Sequence, residues 1–499
     1  MKQVRSIGKN KKGFATIEVL IAFVILILCI GAVIMVVFGN QSVAIDNETN
    51  NEAIMKAQKM LEDARAEAKE DFNITEIVAN PADFFPSSLD VLTISECAKK
   101  LTSEVTWGNP FRPLEIVFST IVTNLDTVAL LSYCDPISPG DWDEPEPYGD
   151  ISPSVIDGQG TGVAVAYING IRYAFLTTDA SNPVQDNFYV IDTTTSPEVI
   201  DASDIYSIKV EDGLEGIATA KIDGNYYAFV VTDHDDAGQL QVVDISVPTS
   251  PTLIPTASTT IPNVTPGESA PPLSIFYYNE KIYIGTEYLA FGDPGFNHEF
   301  HVFDVSNPSS LPWPRWETSI DIDRNVNDIF VKGDTAYLAT GQGSSPYTPL
   351  QVVDLPTESV VNSFSTGINK PGTAVFVLGD TLYFGTESGA SGDDFYIFDI
   401  NDLDPELSAN SLDGSTTEVG DIFVQGQYAF IGLQGAGAQD TFQVWNIGDP
   451  EVPERVDTVC PSGFPLELNG LVFIENYIMA SFRSYTPFRI IYNDATSCP

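Results

Sequence analysis

"LQVVD" at residues 240–244 returns letter for letter at 350–354. The element recurs in five relaxed copies: "FYVID" from Phe188, "FHVFD" from Phe300, "FYIFD" from Phe395, "FQVWN" from Phe442 and "FRIIY" from Phe488. Successive copies begin 52, 60, 50, 45, 47 and 46 residues apart. Ahead of each lies a hairpin signal, a turn such as "NG", "DGN", "KGD" or "LGD" followed by a run rich in aromatic and β-branched residues, for example "YAFLTT", "YYAFVVT" and "KIYIGTE". Such runs separated by Gly, Asn and Asp turns predict antiparallel strands.

A period of 45 to 60 residues with several strands in each repeat is the pattern of a β-propeller blade. The copies resemble the LVIVD-repeat propellers, and the "LQVVDI" and "LQVVDL" stretches carry that resemblance best. The fold class expected is mostly β, with a seven-bladed β-propeller over 150–499. The seventh copy departs from the pattern, ending in Tyr492 where the others have Asp or Asn. Each repeat is expected to end in a fourth strand, as "SIKVED" follows "FYVID", yet almost no chain remains after Tyr492. An unfilled outer edge is a liability. The stretch around "DISPSVID", 150–157, is therefore expected to donate the missing strand and latch the ring.

The N-terminus reads differently. Lys2, Arg5, Lys9, Lys11 and Lys12 precede "GFATIEVLIAFVILILC", 13–29, and from Phe14 to Ala44 the only charge is Glu18. As a helix, the stretch from Phe14 to Phe38 is roughly 37 Å long, enough to span a bilayer with the basic end inside. No small-residue cleavage site ends the run, as a secretory signal would require. Gly13, Phe14 and Glu18 in this arrangement resemble the class III signal of type IV pilins and pseudopilins. The resemblance implies cleavage after Gly13 by a prepilin peptidase, methylation of the new N-terminal Phe14, and a role for Glu18 in filament assembly. In a dry filament core, Glu18 could pair with the free amino group of a neighbouring Phe14, satisfying two buried charges together.

Residues 1–13 are thus expected as a leader and 14–72 as a long helix, with 14–38 in the membrane or filament core. Ile54, Ala57, Leu61, Ala64 and Ala68 recur at three- and four-residue steps and predict a narrow apolar stripe. "LTSEVTWG" and "PLEIVFSTIVTN" predict strands of a small pilin-like head over 73–134. "DPISPGDWDEPEPYGDISP", 135–153, is rich in Pro, Gly and acid and predicts an extended linker.

The chain has 69 acidic and 23 basic residues, a net charge of -46. Removing the five leader cations leaves 18 basic residues against the same 69 acids. Such a surface repels phosphate backbones and argues against nucleic-acid partners. Cys29 lies in the apolar run, as a small packing residue. Cys97, Cys134, Cys460 and Cys498 are disulfide candidates, and chain proximity favours pairing the first two and the last two, although four cysteines allow three pairings.

Candidate chemistry is sparse. "HEFH", with His298 and His301, lacks the spacing that sets two imidazoles on one helical face and enters a strand, which argues against zinc. "TDHDDAG", with Asp233, Asp235 and Asp236, and "DIDRNVND", with Asp321 and Asp323, are weak calcium candidates without the EF-hand pattern. The acid closing each repeat, as in Asp244, Asp354 and Asp399, reads as a turn residue shared by all blades. No nucleophile elbow, phosphate loop or acid and base pair stands out, so no catalytic residue and no cofactor is expected.

These readings predict a type IV pilus-like filament subunit displaying a propeller for adhesion. It would sit in the cytoplasmic membrane by one helix before assembly, then outside the cell. Its expected partners are other pilin subunits, the prepilin peptidase and an unidentified glycan or protein on a surface. The alternative is an envelope-anchored propeller enzyme or sensor, which acids or histidines converging on the central channel would favour.

Overall fold

The computed structural model describes residues 27, 49–50, 52–66, 85–95, 98–109, 112–123, 142 and 145–150. From 155 to 493 it describes everything except 181, 183, 195–199, 234–237, 263–269, 290–297, 345–346, 366–369, 388–392, 404–405, 413–417, 436–440, 457–466, 475–476 and 485. Gly13, Phe14, Glu18 and all five cysteines lie outside the described residues. So does the apolar run to Phe38, Ile27 apart. Among the described residues, no helix is long and apolar enough to cross a membrane.

Two compact units divide the chain, one of Met1–Leu92 with Lys99–Val122, the other of Thr93–Ala98 with Thr123–Pro499. In the first, a helix over 52–66 covers a three-stranded sheet of Ser87–Ser95, Ala98–Asn109 and Arg112–Thr123. Ala53, Ala57, Leu61 and Ala64 are buried, while Ile54 is only half-buried. The apolar stripe therefore starts one residue earlier than the periodicity suggests, because alanines let the helix backbone approach the sheet. Leu89, Leu101, Val105 and Val122 meet it from the sheet. The first of these strands, "SSLDVLTIS", went unread in the sequence because Leu89 and Val91 are a short alternation among hydroxyl residues.

The second unit is a β-propeller. Among the described residues it contains seven four-stranded antiparallel sheets. Sheet 1 is Gly160–Ile168, Ile171–Thr178, Phe188–Asp192 and Ile205–Ile208. The first strands of sheets 2 to 7 are Leu214–Ile222, Pro272–Tyr278, Arg324–Lys332, Gly372–Leu378, Glu418–Gln425 and Leu468–Ile474. Each first strand packs on that of the next sheet, and Leu468–Ile474 packs on Gly160–Ile168, so the sheets close on themselves around a central channel. The hairpin signals sit between first and second strands. Asn169 and Gly170 both have positive φ, 56° and 80°, as do Asp223 and Gly224, matching the twist-compatible two-residue turn.

The repeated element is the third strand of every sheet, and its closing acid makes a turn. Asp192, Asp244, Asp304 and Asp399 each accept through Oδ1 from the main-chain N–H two residues on, at 2.8 to 2.9 Å. Asn446 does the same toward Gly448.

Sheet 7 takes its fourth strand from Pro145–Asp150, which pairs antiparallel with Phe488–Asn493 through Ile490↔Tyr148 and Tyr492↔Glu146. The donor lies a few residues ahead of "DISPSVID", within the stretch expected to be a free linker. That expectation is corrected for 145–150. Proline lacks an N–H, and the outermost strand of a sheet is where a ladder tolerates that. Trp142, just before it, is fully buried against Phe430 at 4.9 Å and Phe473 at 6.1 Å between ring centroids. It wedges the donated segment into sheets 6 and 7.

Replacing Trp142 with Ala should cost about 3 to 5 kcal/mol and lower the urea midpoint of the full chain. An unchanged midpoint would show that the donated strand holds the ring without it.

Candidate functional site

Strand register places one position of every first strand at the same level of the channel. Asp328 opposes Ala339 and Asp421 opposes Gly432. The equivalent residues elsewhere are Gly162, Gly216, Ser274, Ala374 and Gly470. Around this level neighbouring sheets nearly touch. A Cβ built on Gly285, the partner of Ser274, would lie 2.5 Å from the carbonyl oxygen of Val326 in the next sheet.

The two aspartates stitch sheets together. Ile329 N–H donates to Asp328 Oδ1 at 2.8 Å, and Val375 N–H of sheet 5 to Oδ2 at 2.8 Å. Ile422 N–H donates to Asp421 Oδ1 at 2.7 Å, and Leu471 N–H of sheet 7 to Oδ2 at 2.6 Å. Burial pushes the Asp328 carboxyl up to about 7 against these donors. Asp421 is pushed well above the ordinary carboxylate range, first by burial and then by the Asp328 charge. Every oxygen of the pair is engaged with the main chain, so the pair is structural in arrangement. Two residues further on, Phe276, Phe330, Phe376 and Phe423 form an arc of successive ring contacts at 5.0 to 5.1 Å. A cavity of about 210 Å³ lies between the aspartates and this apolar arc.

Above the aspartates is the channel mouth. In sheets 1, 2, 3, 5 and 7 the residue following the second strand is tied to the residue just ahead of its sheet's first strand: Asp179 N to Gln159 O, Asp233 N to Gly213 O, Glu287 N to Pro271 O, Glu387 N to Pro371 O and Arg483 N to Glu467 O, all at 2.9 to 3.0 Å. One backbone bond thus recurs while the side chain changes. Glu215 and Glu418, at the starts of first strands, add to this rim. Burial raises Glu215 to about 7, with Asp233 raising it further and Arg483 opposing. Burial likewise raises Glu418 to about 7, helped by Glu387 and Glu467.

Other expected residues fall elsewhere. Asp233 joins the rim, whereas Asp235 and Asp236 lie outside the described residues. Asp321 Oδ1 accepts from Asp323 N–H at 3.1 Å, and the buried Glu299 accepts from Ile322 and Asp323 N–H at 3.0 and 3.1 Å. Among the described residues, no three His, Cys, Asp or Glu side chains come together so as to hold a metal ion. His301 is fully buried with Nδ1 2.7 Å from Ser319 Oγ, and burial lowers it to about 3, so it is neutral.

Sequence reasoning missed the rim and Asp328 with Asp421. It also missed a loop-pinning position. The second residue of the repeated element is Tyr189, Gln241, His301, Gln351, Tyr396, Gln443 or Arg489. Tyr189 OH donates to Asp186 O, Tyr396 OH to Asp393 O and Gln241 Nε2 to Gly238 O. The signal was available in the sequence, since a polar-capable side chain recurs there among apolar neighbours.

The LVIVD repeat family matches residues 220–259 and 288–312. Among solved structures, the chain is similar to a quinonprotein alcohol dehydrogenase-like protein from Bacteroides thetaiotaomicron at 12% identity, covering 80% of this chain and 85% of that one, with a TM-score of 0.39. It is also similar to hydrazine synthase of Kuenenia stuttgartiensis (12% identity, 72% and 98% covered, TM-score 0.44). A third similar structure is BamB from Moraxella catarrhalis (13% identity, 85% and 98% covered, TM-score 0.38). No curated protein matches the chain.

Glu215 and Glu418 have folded values above their ordinary 4.5, so the folded chain holds protons that the unfolded chain has released. Their contribution is favourable below about pH 4.5 and is lost as pH rises through about 7. Glu418→Gln should therefore raise the urea midpoint at pH 8 more than at pH 5. An equal change at both values would place Glu418 in a water-like setting.

Proposed function

We propose that the chain is a filament subunit of type IV pilin kind that presents a seven-bladed β-propeller as a binding module. The observation that carries the binding part is the channel mouth, where a recurring backbone bond supports side chains that differ from sheet to sheet. A scaffold constant in backbone and variable in side chain suits recognition. The rim is mainly carboxylate, with Arg483 among the acids, so it favours a ligand that brings cationic groups. The seven four-stranded sheets found among the described residues support the blade count.

The filament part rests on Gly13, Phe14 and Glu18 following five basic residues. The helix over 52–66 packed on a three-stranded sheet is compatible with the small helix-and-sheet head that this reading expects. A second reading, a propeller enzyme, is favoured by one observation. Glu215 and Glu418 stand near 7, where a carboxyl can act as an acid or a base at neutral pH.

Mass spectrometry of the mature protein should find an N-terminus at Phe14, N-methylated. A chain beginning at Met1 would defeat the processing step. Glu18→Val should leave membrane insertion intact, since it removes a charge costly in lipid, while incorporation into filaments falls sharply. Unchanged incorporation would reduce Glu18 to an interfacial residue.

A further inference from the structure

The face opposite the channel mouth, where first and second strands turn, carries a cavity of about 390 Å³ between sheets 3 and 4. Its floor is apolar, formed in part by Val302 and Ile320, with the ring of Tyr283 beside them. On one wall, Lys281 Nζ lies 2.6 Å from Glu317 Oε2. On the other, Asp334 and Glu358 are exposed carboxylates that form no ion pair among the described residues.

Tyr283 is the telling residue. It is 3% exposed and lines the cavity, yet its phenol makes no hydrogen bond among the described residues. The charges of Glu317 and Asp334, one from each wall, both act on it. The fold does not require that oxygen. Register places Phe175, Phe229 and Phe430 at the same position in sheets 1, 2 and 6, and Tyr337 in sheet 4. In sheet 5 the equivalent Tyr383 has a local hydroxyl partner in Thr381. A phenol whose ring is buried and whose oxygen opens into a cavity has its hydroxyl free to meet a ligand there.

We propose that this cavity binds the side chain of a lysine or arginine from a partner. Its alkyl stem would lie over the apolar floor, and its cationic head would be held by Asp334, Glu358 and the Tyr283 oxygen. Lys281 already neutralises Glu317, so the two remaining carboxylates leave the cavity with a net negative charge that a cation complements. Cavities of this size commonly hold small ligands. A neutral saccharide would use the Tyr283 oxygen and the floor but would leave both carboxylates uncompensated. The inference stands apart from the mouth and from filament assembly.

The test is calorimetric titration of the full chain with N-acetyl-lysine amide and N-acetyl-arginine amide at physiological salt, with a neutral disaccharide in parallel. Saturable binding of a cationic probe is expected. Asp334→Asn combined with Glu358→Gln should weaken it at least tenfold. Tyr283→Phe, which the other sheets show the fold accepts, should weaken it severalfold without lowering the thermal midpoint. Absence of binding by both cationic probes, binding of the disaccharide alone, or cationic binding indifferent to the cavity substitutions would each overturn the proposal.

Discussion

A ring of sheets is stable only if its last member meets its first without leaving an open edge. In this chain the sheet of Phe488–Asn493 has no later strand as its outer member among the described residues. Pro145–Asp150 fills the place, and Asn469 Nδ2 donates to Gly160 O across the same seam at 3.1 Å, over a separation of 309 residues. Closing so long a loop is costly in chain entropy, but the cost grows only logarithmically with length. A ladder of five residue pairs, the buried Trp142 and the contact between first strands of sheets 1 and 7 offset it together. The seam binds the two ends of the propeller sequence, so the other sheets depend on it for their curvature.

Within the ring, the level where sheets approach most closely uses two solutions. Glycine, alanine or serine at Gly162, Gly216, Ser274, Ala374 and Gly470 lets strands come together. Asp328 and Asp421 instead bridge the gap with hydrogen bonds to the next strand. Burying a carboxylate is expensive unless its oxygens are engaged, and both aspartates meet that condition through two main-chain donors each. Burial, and for Asp421 also the Asp328 charge, favours the protonated form, which allows two such bridges around one channel while five positions avoid charge altogether.

The repeated third strand made the propeller legible, because its apolar character and its spacing survive even where letters change, as between "LQVVD" and "FRIIY". The turns were legible for a different reason, since positive φ selects Asn-Gly and Asp-Gly locally. The missing outer strand could be inferred by counting, but its location was displaced by a few residues. "PEPYGD" has the composition of a linker, and only its partner strand makes it a strand. The mouth was illegible for a related reason. In a chain with 69 acids, Glu215, Glu387 and Glu418 are unremarkable letters until the ring brings them to one rim. Gly13, Phe14 and Glu18 are the reverse case, a pattern readable in the sequence that the described residues do not include.

Internal repetition also separates what the fold demands from what it merely permits. A residue type that recurs at one register position, such as the turn-closing aspartate, answers to geometry common to all sheets. A departure that the other sheets show to be unnecessary has to be explained by its own surroundings. Tyr283 carries a hydroxyl that Phe175, Phe229 and Phe430 do without, at a position where Tyr337 and Tyr383 also stand, and Arg483 places a cation where Asp179 and Asp233 place anions. Both departures face open space, a cavity in one case and the channel mouth in the other, where a side chain can change without disturbing the core. A propeller can therefore hold its ring through the positions that repeat and acquire selectivity through those that do not.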